Sequence, residues 1–234
     1  MVWHPVSLEH DPGPGHPESP VRLKAILEEL RQPPAAERIA WHEAAPAAAA
    51  ALARVHPATY LDGLRALAER GGGRLDADTV MNRKSFDAAV YGAGAAVEAT
   101  RIALSGEPAF AAVRPPGHHA TGTQAMGFCF INNVVVAARA ALDEFGASRV
   151  LIVDWDVHHG NGTQDLVERD PRIRYVSLHQ WPLYPGTGRE DEKGVGNIFN
   201  VPRPPGLPRA RYVADLNDAV ARAVQGWRPD LILI

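Results

Sequence analysis

Cysteine is nearly absent from this 234-residue sequence: Cys129 stands alone. One thiol excludes a disulfide framework within the chain and any multi-cysteine metal site. It lies in the apolar run Gly127-Phe128-Cys129-Phe130-Ile131, where a buried thiol is expected rather than a nucleophile. Net charge is small, -3 at pH 7, so no global basic field awaits nucleic acid. Residues 1–10 lack the basic-then-apolar pattern of a signal peptide, and no apolar run is long enough for a membrane span. A cytoplasmic protein is expected, and an oligomer is left open. The length suffices for one α/β domain with a large core.

What is present alternates between helical and strand patterns. Ser19 followed by Pro20 opens a helix with Leu23, Ile26, Leu27 and Leu30 on one face, stopped by Pro33-Pro34. Residues 44–53 are nearly all alanine and read either as a tightly packed helix or as filler. Tyr60, Leu61, Leu64 and Leu67 mark a second helix, ended by Gly71-Gly72-Gly73, with a loop over 74–84. Ser85 is read as the cap of a long Ala-rich helix to about Leu104, whose small residues at 92–96 suit close approach to a sheet. Strands are expected at 109–113, 150–153, 173–178, 198–201 and 231–234, and helices at 132–145, 163–168 and 210–227. Alternation of this kind predicts an α/β fold: a mainly parallel sheet covered on both faces.

The centre of the pattern is residues 149–164. The apolar run Val150 to Val153 reads as a buried strand, followed at alternate positions by Asp154, Asp156 and His158. In extended backbone alternate side chains share a face, so two carboxylates and an imidazole aim at one point. These are the ligand types of a zinc site without thiolates, and Asp156 and His158 are two candidate ligands. A strand end meeting water has no need of Asp-x-Asp-x-His followed by His-Gly-Asn-Gly. His118-His119 follow the strand ending at Val113, and Ser177 and His179 follow Val176 of the 173–178 strand. Three strands thus deliver polar residues to the rim where ligands of open parallel sheets sit.

Tandem histidines in the loop Arg114-Pro-Pro-Gly-His-His beside a metal point to a general base for water activation. Each needs a group that fixes its tautomer, and Asp154 and Asn161 are the nearest candidates. A carboxylate partner raises basicity and an amide partner only orients, so the two imidazoles are expected to differ in pKa.

Four motifs in order, Arg114-Pro-Pro-Gly-His-His-Ala, Gly127-Phe-Cys-Phe-Ile-Asn-Asn, Asp154-Trp-Asp-Val-His-His-Gly-Asn-Gly-Thr and Pro185-Gly-Thr-Gly, resemble the zinc-dependent histone deacetylase family. The similarity runs over the whole chain, including His16-Pro-Glu-Ser-Pro-Val-Arg22. It is strongest to bacterial class II-like members, near acetylpolyamine amidohydrolases and acetoin-utilisation proteins. The resemblance implies the three-layer arginase–deacetylase fold in a single domain over 1–234. It implies one zinc ion per chain, held by Asp156, His158 and a later Asp. It makes His119 the general base and His118 an electrostatic partner paired to Asp154, with Asn161 behind the second His. Gly127, Phe128 and Tyr184 would wall a narrow tunnel, and Asp76 or Asp78 would hold the substrate at its rim. A monovalent cation, potassium among the candidates, would sit near Asp154, Asp156, His158, Ser177 and Leu178. Arg22 would line an internal channel. The implied substrates are acetyl-lysine peptides or acetylated small amines.

The family's third ligand and its oxyanion-binding Tyr lie after the strand that closes at Ile234. The resemblance therefore implies a domain incomplete at its carboxyl end, and these 234 residues alone are expected to bind zinc poorly and not to turn over. Two other readings remain. An arginase-like ureohydrolase needs Asp-x-His-x-Asp for two metals, but Gly160 stands where the bridging carboxylate belongs. A non-catalytic acyl-ligand binder would have no use for His118 and His119. Glu190, Asp191 and Glu192 read as a solvated acidic loop.

Overall fold

The computed structural model describes residues 1–234. Its amino-terminal half is made of short pieces. β1 (Val2–Trp3) pairs in parallel with β2 (His42–Glu43). Between them lie a 3-10 turn at Pro5–Leu8, α1 (Pro20–Leu30) and a second 3-10 turn at Ala36–Arg38. Ser19 caps α1 as expected, its side chain accepting from the Val21 N–H, with Pro20 in the first turn. The alanine stretch yields only α2 (Ala49–Ala53), followed by α3 (Ala58–Glu69). The expected 74–84 loop is in part a small hairpin, β3 (Gly72–Arg74) against β4 (Val80–Asn82).

α4 (Ser85–Leu104) has Lys84, not Ser85, at its cap position. The Ser85 hydroxyl is turned to Asn82 and His10 instead. The glycines of α4 serve close approach, but to a different neighbour from the sheet. A Cβ on Gly94 would stand 2.0 Å from the Ala45 carbonyl oxygen. Residues 109–113 also depart from expectation. They run beside β1 through one bridge, Val2 to Ala111, and form no strand of the main sheet.

α5 (Asn133–Asp143), β5 (Val150–Asp154), α6 (Asn161–Val167), β6 (Ile173–Gln180), β7 (Ile198–Arg203), α7 (Arg209–Val224) and β8 (Leu231–Leu233) complete the chain. The sheet order is β7-β6-β5-β8, and every pairing is parallel. Strand alternation divides the core. Val150, Ile152, Ile173 and Tyr175 face Val135, Val136 and Ala138 of α5, while Leu151, Val153, Val176 and Leu178 face Ala219 and Ala223 of α7. Helices therefore cover both faces, and the carboxyl ends of β5 and β6 lie side by side. No helix is long and apolar enough to cross a membrane.

The outer edge of β8 has no strand partner. Between it and residues 109–113 runs an apolar groove of about 510 Å³, lined by Ala99, Phe110, Val113, Val134, Ile232 and Ile234 among others.

Candidate active site

β5 ends at Asp154, and the chain then bends rather than staying extended. The Asp154 carboxylate accepts the Asp156 N–H at 3.1 Å, and the Asp156 carboxylate accepts the His158 N–H at 2.8 Å. Asp154, Asp156 and His158 are therefore gathered by two successive side-chain-to-backbone turns, a habit of Asp, and not by strand alternation. Asp156 Oδ1 lies 3.1 Å from His158 Nδ1. Two donors each about 2.0–2.2 Å from one ion, at a tetrahedral angle, stand about 3.3 Å apart. The pair fits two corners of such a site. No third His, Cys, Asp or Glu joins them to complete a metal-binding group.

His118 and His119 lie against this pair, their ring centroids 4.0 Å apart, with His119 5.9 Å from His158. Their partners are the two foreseen. His118 Nδ1 is 2.9 Å from Asp154 Oδ2, and His119 Nδ1 is 2.8 Å from Asn161 Oδ1. Burial pulls His118 down, but the Asp154 hydrogen bond and charge outweigh it and leave its pKa above the usual histidine value. Burial pushes His119 down to about 4, with the charge of His118 adding to the effect. Asp154 is held low despite its burial, by His118 and by the Tyr175 hydroxyl, which donates to Oδ2 at 2.9 Å. Tyr175 is a site residue that sequence reasoning missed, because it reads as an ordinary core aromatic of β6.

Gly160 is a steric requirement. A Cβ there would stand 2.4 Å from Tyr175 Oη and 2.5 Å from Asp154 Oδ2. No carboxylate can take that position, which removes the two-metal arginase pattern.

The turn Met126–Cys129 encloses His119. Its end residues pair through both backbone bonds, and Gly127 and Phe128 both have positive φ, 54° and 70°, as a type I′ turn demands. Phe128 is the one non-glycine residue of the chain in the left-handed region, at a cost of about 1–3 kcal/mol. Gly127 lies flat on the His119 ring, where a Cβ would be 2.4 Å from Cδ2. Cys129 is buried, as expected, and its thiol accepts the His119 N–H. Tyr184 closes the far side, edge-on to His119 at 5.1 Å and to His158 at 6.0 Å. The Pro185-Gly-Thr-Gly loop is thus a wall of the site. It is held from behind by a second pair of buried histidines. His159 bonds Thr187, and His179 bonds Ser177 and the Gly188 carbonyl. His179 therefore belongs to this support and not to the rim. Glu192 is also not fully solvated, since it accepts from Gln164.

At the mouth, Asp76 Oδ1 is occupied by the backbone N–H groups of Asp78 and Thr79. Asp78 is exposed. Thr79 Oγ1 accepts the Phe128 N–H, which ties this loop to the turn. Burial, then Asp78 and Asp76, push the Tyr184 phenol up to about 12. Ser177 is buried directly opposite Asp154 in the β5–β6 register, with Leu178 beside it. Arg22 is a correction: it is exposed on α1 and lines no interior channel. The buried arginine is Arg114, which forms a two-point ion pair with Glu18 and donates to the Ser7 and His10 carbonyls.

Residues 16–234 match the histone deacetylase domain family. A probable deacetylase of Archaeoglobus fulgidus is 37% identical over 242 residues, covering all of this chain and 67% of that protein. A histone deacetylase-like amidohydrolase of Pseudomonas aeruginosa is 40% identical over 94% of this chain and 60% of its own length. The chain belongs to the histone deacetylase family. Among solved structures, the HDA15 HD domain superposes with a TM-score of 0.93 at 35% identity, over 99% of this chain and 72% of that one. An acetylpolyamine aminohydrolase from Burkholderia pseudomallei gives 0.87 at 27%, over 100% and 81%. The architecture is that of histone deacetylases, the arginase–deacetylase fold, and the activity class is deacetylase or amidohydrolase.

Proposed function

We propose that the protein is a cytoplasmic, zinc-dependent amidohydrolase that removes acetyl groups from acetyl-lysine or from acetylated amines. The observation that carries this reading is the unequal histidine pair: His118 on a carboxylate, His119 on an amide, both against Asp156 and His158. In this reading Asp156 and His158 would be two of the ligands that hold zinc. Zinc supplies Lewis acidity toward the acetamide carbonyl and toward water. A potassium ion beside Asp154, Asp156, His158, Ser177 and Leu178 is part of the same proposal, supported by the register that sets Asp154 against Ser177.

His119 is neutral at pH 7, so its Nε2 lone pair is free to take the proton of the attacking water. The imidazolium character that Asp154 gives His118 stabilises negative charge growing on the acetamide. When the C–N bond breaks, the proton held by His119 passes to the leaving nitrogen, and the amine then takes the proton of the acetic acid formed, so that the products are acetate and an ammonium cation. Phe128, Gly127 and Tyr184 admit a slim, extended acyl-amine. Asp78, whose carboxylate takes only the Thr79 hydroxyl where Asp76 takes two backbone N–H groups, favours a cationic substrate at the rim. An acetylpolyamine is the second reading, supported by the likeness to the Burkholderia pseudomallei enzyme.

The test is acetate release from an acetyl-lysine peptide and from acetylputrescine by the protein made from its complete reading frame. Activity lost in His119→Ala is expected. Hydrolysis that survives His119→Ala, or two manganese ions per chain, defeats the proposal. Tight acetyl-lysine binding without hydrolysis would favour the binding-protein reading.

A further inference from the structure

We infer that Met126 is a positioning residue whose thioether fixes the amide of Asn161, and through it the tautomer of His119. A carboxamide has nearly the same shape in its two orientations but opposite chemistry: one end accepts and the other donates. Here Asn161 Oδ1 meets His119 Nδ1 at 2.8 Å, and Asn161 Nδ2 meets Met126 Sδ at 3.5 Å. This orientation puts the imidazole proton on Nδ1 and leaves Nε2 with a lone pair. The flipped amide would donate to Nδ1, move the proton to Nε2 and leave no base facing the site. A carboxylate at position 161 would accept with either oxygen and need no help. An amide needs a second contact that tells its ends apart. Thioether sulfur accepts N–H weakly and has nothing to offer a carbonyl oxygen.

Met126 is well placed to hold this contact. Its backbone N–H and carbonyl are both paired with Cys129, and the next residue, Gly127, rests on the His119 ring. The sulfur is therefore set by the same turn that packs the imidazole. Asn161 begins α6, and its Nδ2 makes no other hydrogen bond.

The test reads the tautomer directly, by two-bond proton–nitrogen correlation of the imidazoles in the metal-free protein made from its complete reading frame, at pH 7. The wild type is expected to show Nδ1–H with an unprotonated Nε2. Met126→Leu conserves volume and is expected to raise the ratio of Nε2–H to Nδ1–H by about fivefold, the weight of one weak hydrogen bond. Adding Asn161→Asp to Met126→Leu is expected to restore Nδ1–H. The signals of His159 and His179 report in the same spectrum whether the fold is kept. Replacing all methionine with norleucine exchanges each sulfur for a methylene and gives the same reading if the leucine variant unfolds. An unchanged ratio in both sulfur-free proteins overturns the inference, as does a double variant that stays mixed. The inference rests on His119 as the base, yet the spectra need neither metal nor turnover. A tautomer shift in a protein that hydrolyses nothing would defeat the proposed function alone, and an active enzyme with an unchanged tautomer would defeat this inference alone.

Discussion

Glu18→Gln isolates the interaction that ties the amino-terminal segment to the histidine loop. Glu18 is 3% exposed, and its two oxygens take Arg114 Nε at 2.5 Å and Nη2 at 2.6 Å, with His10 Nε2 at 3.1 Å. Arg114 immediately precedes Pro115-Pro116-Gly117-His118-His119. Glutamine keeps the shape but removes the charge and turns an amide N–H₂ toward a guanidinium. The arginine is left buried without its anion, which costs about 3–5 kcal/mol. That is a large share of a typical stability of roughly 5–15 kcal/mol. At about 2–4 °C per kcal/mol for a chain of this size, it corresponds to a Tm lower by about 6–20 °C. Urea unfolding at pH 7 measures the free energy, and a pH series checks its origin. Burial raises the Glu18 carboxyl pKa, but His10 and Arg114 more than reverse this, so the folded value is below the usual one. Unfolded, the group titrates near ~4.3. Its contribution is thus complete above about pH 5 and is lost as pH falls through the folded value. The gap between wild type and Glu18→Gln is expected to be wide at pH 7 and to narrow in acid. A gap under about 1 kcal/mol at pH 7, or one that does not narrow below pH ~4, refutes the reasoning.

Three further outcomes follow from the same structure. Asp170→Asn removes a carboxylate that holds Arg139 and Arg172 and sits far below the usual range because of them; a loss of about 1.5–3 kcal/mol is expected in urea melts at pH 7, shrinking as acid protonates the wild-type group. Gly188→Ala, at φ 89° with a Cβ 2.5 Å from His159 Cγ and 2.6 Å from His179 Nε2, is expected to free the Tyr184 loop; amide exchange over 181–196 accelerates, while exchange in α3 stays unchanged. In the complete protein, Asp156→Asn and His158→Ala each weaken zinc binding by more than the roughly 10–100-fold that losing an outer partner costs, read by competition with a chromophoric chelator.

Much of the site was legible because its chemistry is written in short local motifs. Asp154 and Asn161 follow from residue type as the candidate partners, the family resemblance implies which histidine each serves, and both hydrogen bonds stand in the structure. The apolar run at 150–153 gave its strand for the same reason: alternate residues are buried on opposite faces. What local pattern could not show was long-range. Residues 109–113 look like a strand by composition, but pairing is decided by a neighbour, and theirs is β1 at the far end of the sequence. Arg22 and Arg114 are alike in the sequence; only the fold shows which one meets Glu18. Asp156 and His158 were correctly joined for a partly mistaken reason, since turns and not strand alternation bring them together. Met126 carried no signal, because a methionine in an apolar stretch reads as packing.

The free edge of β8 bears on how the chain behaves in solution. Natural sheets blunt such edges with lysine, proline, bulges or a covering loop. Leu231, Ile232, Leu233 and Ile234 have none of these, and Ile232 and Ile234 are 50% and 74% exposed, near Phe110 at 60% and Trp155 at 57%. Unpaired backbone donors and acceptors beside that much apolar surface make an adhesive seam. With a net charge of only -3, there is little electrostatic repulsion to keep two such seams apart. A segment paired along β8 would satisfy its backbone groups and cover the apolar groove beside it in one step.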